Sequence, residues 1–289
     1  KKGGRRTGPS YTVHPEGAAQ IALIGPPNAG KSSLHARLTG SQTDIGPYPL
    51  TTRLPIPGML PHEDVYFQLV DLPPITADYM ESWIANALQP ADAIMLVVDV
   101  SNPACIDQVQ TITSRLTDKK IFLSEYWPGL EQEPKTERRK HRSGHIVQAV
   151  DAIDDPFRLE LPTLLVANKS DLDPDPDEVA VLEELLGVKF PPAMTSAKTG
   201  EGCDTIGPLL FKGLEIVRVY TKVPGRPAKK DRPFTVRHGQ TVFDVARLVH
   251  KDIARGLRFA RVWGVNVYDG QQVGPEHPVD DADVIELHI

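Results

Sequence analysis

Apolar and polar positions alternate between two rhythms along this chain. Short apolar runs stand at Gln20–Ile24, Val65–Val70, Ala93–Val100 and Thr163–Ala167, and each reads as a buried strand. Between them, helical spacing appears at Ser32–Thr39, about Ala77–Leu88, Ile106–Leu116 and Val179–Leu186, and a last helix is expected at about Cys203–Tyr220. Strands alternating with helices predict an α/β, doubly wound and mostly parallel sheet. The rhythm fails over residues 118–160, which contain Pro128, Pro134 and Pro156 and the charged run EPKTERRKHR, and a surface insertion is expected there. TKVPGRPAKKDRP (Thr221–Pro233) is rich in Pro and Lys, and its centre, 223–232, is expected to be a linker. From Phe234 a new pattern begins: a strand, a His238-Gly239 turn, a helix near Val242–His250, and short strands to Ile289. The expected organisation is a flexible arm over 1–18, a first domain over 19–222, the linker, and a small α+β domain over 233–289.

Composition narrows the picture. A chain of 289 residues with 40% hydrophobic content can bury one sizeable core and a smaller one. No apolar run approaches the roughly 18 residues of a membrane helix, so no membrane partner is expected. The opening KKGGRRTGPS has no apolar run after it and does not read as a secretory signal. It lacks an initiating Met, which leaves open a fragment with an N-terminal element missing. The two cysteines, Cys105 and Cys203, lack metal-ligand spacing, and a reducing, cytoplasmic setting is expected. A net charge of −6 excludes a wholly basic nucleic-acid binder. Local basic runs remain, at Lys135–Arg142 and Lys222–Arg232, and read either as RNA phosphate contacts or as solvated charge. Trp263 is expected in the core of the C-terminal domain.

The chemistry lies in five short motifs. GPPNAGKS (Gly25, Pro26, Pro27, Asn28, Ala29, Gly30, Lys31, Ser32), followed by Ser33, has phosphate-loop spacing between a strand and a helix. Its glycines let successive N–H groups surround a β-phosphate, and the helix N-terminus faces the same anion. Lys31 is expected on the β- and γ-phosphates, and the Ser32 hydroxyl on Mg²⁺. NKSD ends the run TLLVA, and Asp171 suits the two N–H groups on guanine's pyrimidine edge. Asn168 is expected to tie this loop to the phosphate loop, with the Lys169 stem over the base. In TSAKTGEG, N–H groups around Ala197 are candidates for the guanine oxygen, and Ser196 and Lys198 shape the loop. Asp71 of DLPP is expected in the Mg²⁺ shell. Thr51 or, preferably, Thr52 of YPLTTR is expected to meet Mg²⁺ and the γ-phosphate.

Five motifs in this order resemble the small GTPases. YPLTTRLPIPGML with FQLVDLPP is similar to the Obg and DRG branch of the translation-factor GTPases. VRVYTKVPG (Val217–Gly225), RPFTVRHGQTVFDVARLVHKDI, FARVWG and QQVGPEH resemble DRG proteins and their C-terminal TGS domain, a ubiquitin-like β-grasp module. The likeness covers roughly residues 19–117 and 161–289. It implies a P-loop GTPase fold, GTP or GDP as ligand, Mg²⁺, and a ribosome or RNA as partner.

Three features depart from that pattern. The insertion DRG proteins carry after the second switch is absent. The glycine expected in DxxG is Pro74. Asn28 resembles the potassium-using GTPases, which implies K⁺ as a further cofactor and Asn28, with Lys31 and Thr52, among the catalytic residues. Two functions are therefore expected to compete. One is a GTP-hydrolysing switch; the other is a nucleotide-gated adaptor that barely hydrolyses GTP and docks partners through its C-terminal domain. A P-loop kinase is disfavoured, because NKSD and SAK have no role there.

Overall fold

The structure is a computed structural model that describes residues 11–41, 54–130, 158–172, 181, 183–184, 187–228 and 230–289. The described residues form two compact units. The first draws on residues up to 60, on 67–127 and on the described part of 131–206; the second on 61–66, 128–130 and 207–289.

The first unit carries a seven-stranded sheet. Its strands are β1 (Ala19–Ile24), β2 (Ile56–His62), β3 (Val65–Asp71), β4 (Ala93–Asp99), β5 (Ile121–Ser124), β6 (Leu159–Asn168) and β7 (Pro192–Met194). The order is β2-β3-β1-β4-β6-β5, with β7 also on β6. β1 pairs in parallel with β3 and β4, and β6 with β4, β5 and β7. The central strands explain themselves. Every residue of β1 is buried, as are six of the seven in β4, because helices cover both faces of a parallel sheet. The helices are α1 (Lys31–Thr39), α2 (Ile84–Leu88) and α3 (Cys105–Thr117). α3 buries Cys105, Val109, Ile112 and Leu116, one stripe at helical spacing. The parallel strands send β1, β3, β4 and β6 out on the same side, so the loops after them gather at the carboxyl edge, where doubly wound folds hold ligands.

The second unit holds a five-stranded sheet of order β11-β10-β12-β8-β9. It comprises β8 (Ile216–Thr221), β9 (Phe234–Arg237), β10 (Phe259–Trp263), β11 (Gln271–Val273) and β12 (Asp283–His288), with α4 (Ile206–Gly213), α5 (Val242–Val249) and α6 (Lys251–Gly256). β8 and β9 form an antiparallel pair, β12 joins β8 in parallel, and β10 runs antiparallel to β12. Val217, Val219, Val236, Val242, Val245, Ala260, Val262 and Ile285 make its core. Within this unit Arg218 donates to Asp281 at 2.7 and 3.0 Å and to Asp64 at 3.0 Å, and also bonds Glu63.

Several expectations change. The expected helix at Ala77–Leu88 forms only over Ile84–Leu88, because Thr76 and Tyr79 close a separate turn: Thr76 N–H donates to the Tyr79 carbonyl at 2.9 Å and Tyr79 N–H to the Thr76 hydroxyl at 3.0 Å. The expected last helix stops at Gly213. Glu215 takes a left-handed φ of 48°, and the β-branched run IVRVYT becomes β8 of the second sheet, upstream of the expected linker. The expected insertion at 118–160 holds sheet at both of its ends: Ile121–Ser124 is β5, paired with the start of β6 at Leu159. Trp263 is not in the core. Ala260 and Val262 point inward, so alternation turns Trp263 to the other face, where Lys222 Nζ lies 3.6 Å from its ring centre. The stretch from Tyr11 to Gly17, expected in the flexible arm, packs on the first unit. Tyr11 stacks on Trp83 at 4.7 Å, and the Val13 carbonyl accepts from the buried Gln20 amide at 3.1 Å. Most of the helix expected at Val179–Leu186 lies outside the described residues, as do the basic residues Lys135–Arg142.

Candidate functional site

The loop between β1 and α1 is built by left-handed positions. Gly25 has φ 155°, Asn28 φ 62° and Gly30 φ 87°. A Cβ on Gly25 would sit 2.2 Å from the Val97 carbonyl oxygen, and one on Gly30 would sit 2.3 Å from Asn168 Nδ2, so neither position admits a side chain. Asn is among the few side chains that tolerate the left-handed region, which accounts for Asn28 structurally; its side chain is exposed. Pro26 and Ala29 are buried, and Pro27 is half-buried.

Lys31 opens α1 and is 6% exposed. Its ammonium donates to the Gly25 carbonyl at 3.2 Å and the Pro26 carbonyl at 3.0 Å. Burial lowers its pKa to about 8, against the opposing pull of the Asp71 carboxylate. Ser32 Oγ donates to Asp71 Oδ2 at 2.6 Å, so the hydroxyl and carboxylate expected to share a cation abut. Asp71 ends β3 and is fully buried. Thr51 and Thr52 lie outside the described residues.

The base-side motifs meet through one side chain. Asn168, 1% exposed at the end of β6, donates from Nδ2 to the Ala29 carbonyl at 2.8 Å. Its Oδ1 accepts from Ala197 N–H at 3.0 Å. Phosphate loop, NKSD and SAK are therefore locked to one amide. Ser196 Oγ donates to Asp171 Oδ1 at 2.7 Å, and Lys198 Nζ lies 3.4 Å from Asp171 Oδ2. The Ser196 hydrogen bond foremost, with help from Lys198, holds the Asp171 carboxyl below the usual carboxylate range. Asn168, Lys169, Asp171, Ala197 and Lys198 line a cavity of about 530 Å³ that also touches Gly30, Ser33, Arg37 and Leu172.

Sequence reasoning missed two contributors. Asp99, the last residue of β4, accepts from Lys169 Nζ at 2.7 Å, which ties down a side chain expected over the base. Its signal was its place at the carboxyl end of a central parallel strand. Arg37, in the last turn of α1, donates to the Ala197 carbonyl at 3.1 Å and the Lys198 carbonyl at 2.6 Å. No motif marks it. Asn28 and Ser33 are near the site, but no hydrogen bond joins them to the base-side loops among the described residues.

Comparison with known proteins bears on this geometry. Residues 20–126 match a family described as a 50S ribosome-binding GTPase, and residues 217–289 match the TGS domain. Along nearly its whole length the chain is 27% identical to an uncharacterized GTP-binding protein of Methanocaldococcus jannaschii, spanning 96% of this chain and 80% of that one. It is 26% identical to the developmentally-regulated G-protein 3 of Arabidopsis thaliana, over 99% of this chain and 86% of that one. Over nearly its whole length the chain is similar to DRG-type GTP-binding proteins. A solved structure shares the fold: a GTP-binding protein from Pyrococcus horikoshii superposes with a TM-score of 0.58 at 17% identity, over 93% of this chain and 99% of that one. The matched families give the chain a P-loop GTPase fold, whose GTPase domain binds guanine nucleotide, with a C-terminal TGS domain. Among the described residues, no helix is long and apolar enough to cross a membrane.

Proposed function

We propose that this chain hydrolyses GTP to GDP slowly and uses the exchange as a switch on ribosomes or RNA. The observation that carries the reading is the Asn168 amide, which joins the phosphate loop to both base-side loops and leaves Asp171 beside the cavity. In this reading the backbone from Gly25 to Ser33 cradles the phosphates. Lys31 leaves the Gly25 and Pro26 carbonyls for the β- and γ-phosphate oxygens. Asp171 accepts from guanine's N1–H and 2-amino group. An attacking water adds to the γ-phosphorus, the bond to the β-phosphate oxygen breaks, and phosphate departs from GDP.

The donor set near the phosphates suits Mg²⁺. Ser32 and Asp71 offer only oxygen, and among the described residues no three His, Cys, Asp or Glu side chains gather as a cage. Mg²⁺ is held this way, by one or two protein oxygens with substrate phosphates and water. Thr52 is the expected third contributor. Bound there, the ion would offset charge on the β- and γ-oxygens. Asn28 is the residue proposed to hold K⁺.

Phosphate release from GTP by the purified chain tests the proposal. The expected unaided rate is about 10⁻⁴ per second or lower, faster in potassium than in matched sodium buffer, and faster with ribosomes. Equal rates in both salts would remove K⁺, and no response to ribosomes would remove that partner.

A second reading, the nucleotide-gated adaptor, is favoured by the second switch. Pro74 has no N–H to offer a γ-phosphate. The next N–H, from Ile75, donates to the Gly25 carbonyl at 3.2 Å, and the Ile75 side chain is 1% exposed in the core. The segment after Asp71 is thus pinned to the phosphate loop, and Ile75 cannot orient a water. GTP and GDP should then bind with similar affinity, since only differential contacts separate the two states. Pro74→Gly restores the N–H. It should raise affinity for a non-hydrolysable GTP analogue by about tenfold, one charge-assisted hydrogen bond, with GDP unchanged. A parent that already prefers the analogue strongly, and a variant that does not differ from it, would refute this.

A further inference from the structure

We infer that Arg37 is a positioning residue for guanine recognition, acting through the Ala197–Lys198 peptide. The inference rests on the guanine reading above and names a residue outside all five motifs. Three of the N–H groups in the SAK turn are already spent. Ala197 N–H donates to Asn168 Oδ1 at 3.0 Å, Thr199 N–H to the Ser196 hydroxyl at 3.1 Å, and Gly200 N–H to the Ser196 carbonyl at 2.8 Å. Lys198 N–H has no hydrogen-bond acceptor among the described residues. It is therefore the donor left for the guanine 6-oxygen.

Arg37 fixes where that donor points. A trans peptide holds its C=O and its N–H on opposite sides. No cis peptide bond occurs among the described residues, and the Ala197 carbonyl is bonded to Arg37 Nε at 3.1 Å. The Lys198 N–H, on the same peptide plane, is thereby turned away from the guanidinium. The second bond, from Arg37 Nη2 to the Lys198 carbonyl at 2.6 Å, fixes the next plane. The planar fork of arginine can hold two carbonyls at once; the single ammonium of lysine holds one well. α1 begins at the phosphate loop and ends at this support, so one helix places both ends of the nucleotide.

The experiment measures Kd for GDP, 6-thio-GDP and IDP with the full chain, its Arg37→Ala and Arg37→Lys variants, and Asp171→Asn. Thionation weakens the acceptor at position 6, and inosine lacks only the 2-amino group. Arg37→Ala should weaken GDP about tenfold and 6-thio-GDP by clearly less, narrowing the preference between them at least threefold. The GDP-to-IDP preference, which reports on Asp171, should stay at the parent value. Arg37→Lys should recover part of both losses. Equal losses for all three nucleotides, or no loss, would overturn the inference. If Arg37→Ala does not fold, Arg37→Lys decides alone: a parent-like ratio of GDP to 6-thio-GDP overturns the proposal. A parent without GDP-to-IDP preference, unchanged in Asp171→Asn, would instead sink the guanine reading itself.

Discussion

Asp171→Asn should lower GTP affinity by roughly a hundredfold or more, because one hydrogen bond to a charged acceptor is lost, the other falls to a neutral acceptor, and two donors are left facing each other. The carboxylate can accept from both N–H groups on guanine's pyrimidine edge. An amide presents one acceptor and one donor, so one guanine donor meets another donor. Xanthine, with a carbonyl where guanine carries its amino group, matches the amide, and XTP should bind the variant better than it binds the parent. The surroundings favour a clean test. Ser196 Oγ, 2.7 Å from Asp171 Oδ1, can donate to an amide oxygen as it does to the carboxylate, so the side chain should keep its place. Lys198 loses its partner, but that contact lies at the surface. Calorimetry with GTP and XTP checks it, and a variant that binds GTP like the parent would remove Asp171 from the base site.

Lys31→Ala should weaken GDP and GTP by at least tenfold, with the larger loss for GTP. The Lys31 ammonium is buried, and its pKa is lowered to about 8 chiefly by that burial. A buried cation interacts with a polyphosphate through low dielectric, and charge-assisted contacts are worth roughly 1.5–3 kcal/mol each. Its present partners, the Gly25 and Pro26 carbonyls, are neutral and would not outcompete a phosphate oxygen. The same burial separates function from stability. A cation that is costly to desolvate adds little to folding, so the nucleotide-free variant should melt close to the parent. Titration calorimetry alongside thermal melts reads both quantities. Unchanged nucleotide affinity would refute the phosphate site, and collapse of the fold would assign Lys31 a structural role.

The candidate site was more legible in the sequence than the second sheet, for a physical reason. In the proposed site, phosphate and base recognition would depend on contiguous loops in fixed order, so Gly25–Ser32, Asn168–Asp171 and Ser196–Lys198 could be named directly as candidates. The Asn168 bridge was also legible, because its chemistry needs a side-chain amide there. Arg37 and Asp99 were not, because each acts through a partner far away in sequence: Arg37 through Ala197 and Lys198, Asp99 through Lys169. In the fold, β1 and β4 announce themselves as uninterrupted apolar runs. Ile216–Thr221 carries Arg218 and Tyr220 among its apolar residues and follows a helix closely, so helical spacing competed with strand propensity. Only pairing with β9 and β12 decides it. Ile121–Ser124 is four residues long beside a charged stretch, and its strand identity comes from pairing with β6.

Single-turnover hydrolysis of GTP in the presence of tenfold excess ATP tests the central claim most directly. With Mg²⁺ and potassium, the purified chain should convert bound GTP to GDP at about 10⁻⁴ per second, and excess ATP should change neither the bound fraction nor the rate, because Asp171 finds no matching donors on adenine. Displacement of GTP by ATP, or phosphate release from ATP at an equal rate, would contradict the account; so would GTP that stays intact over many hours even with ribosomes added.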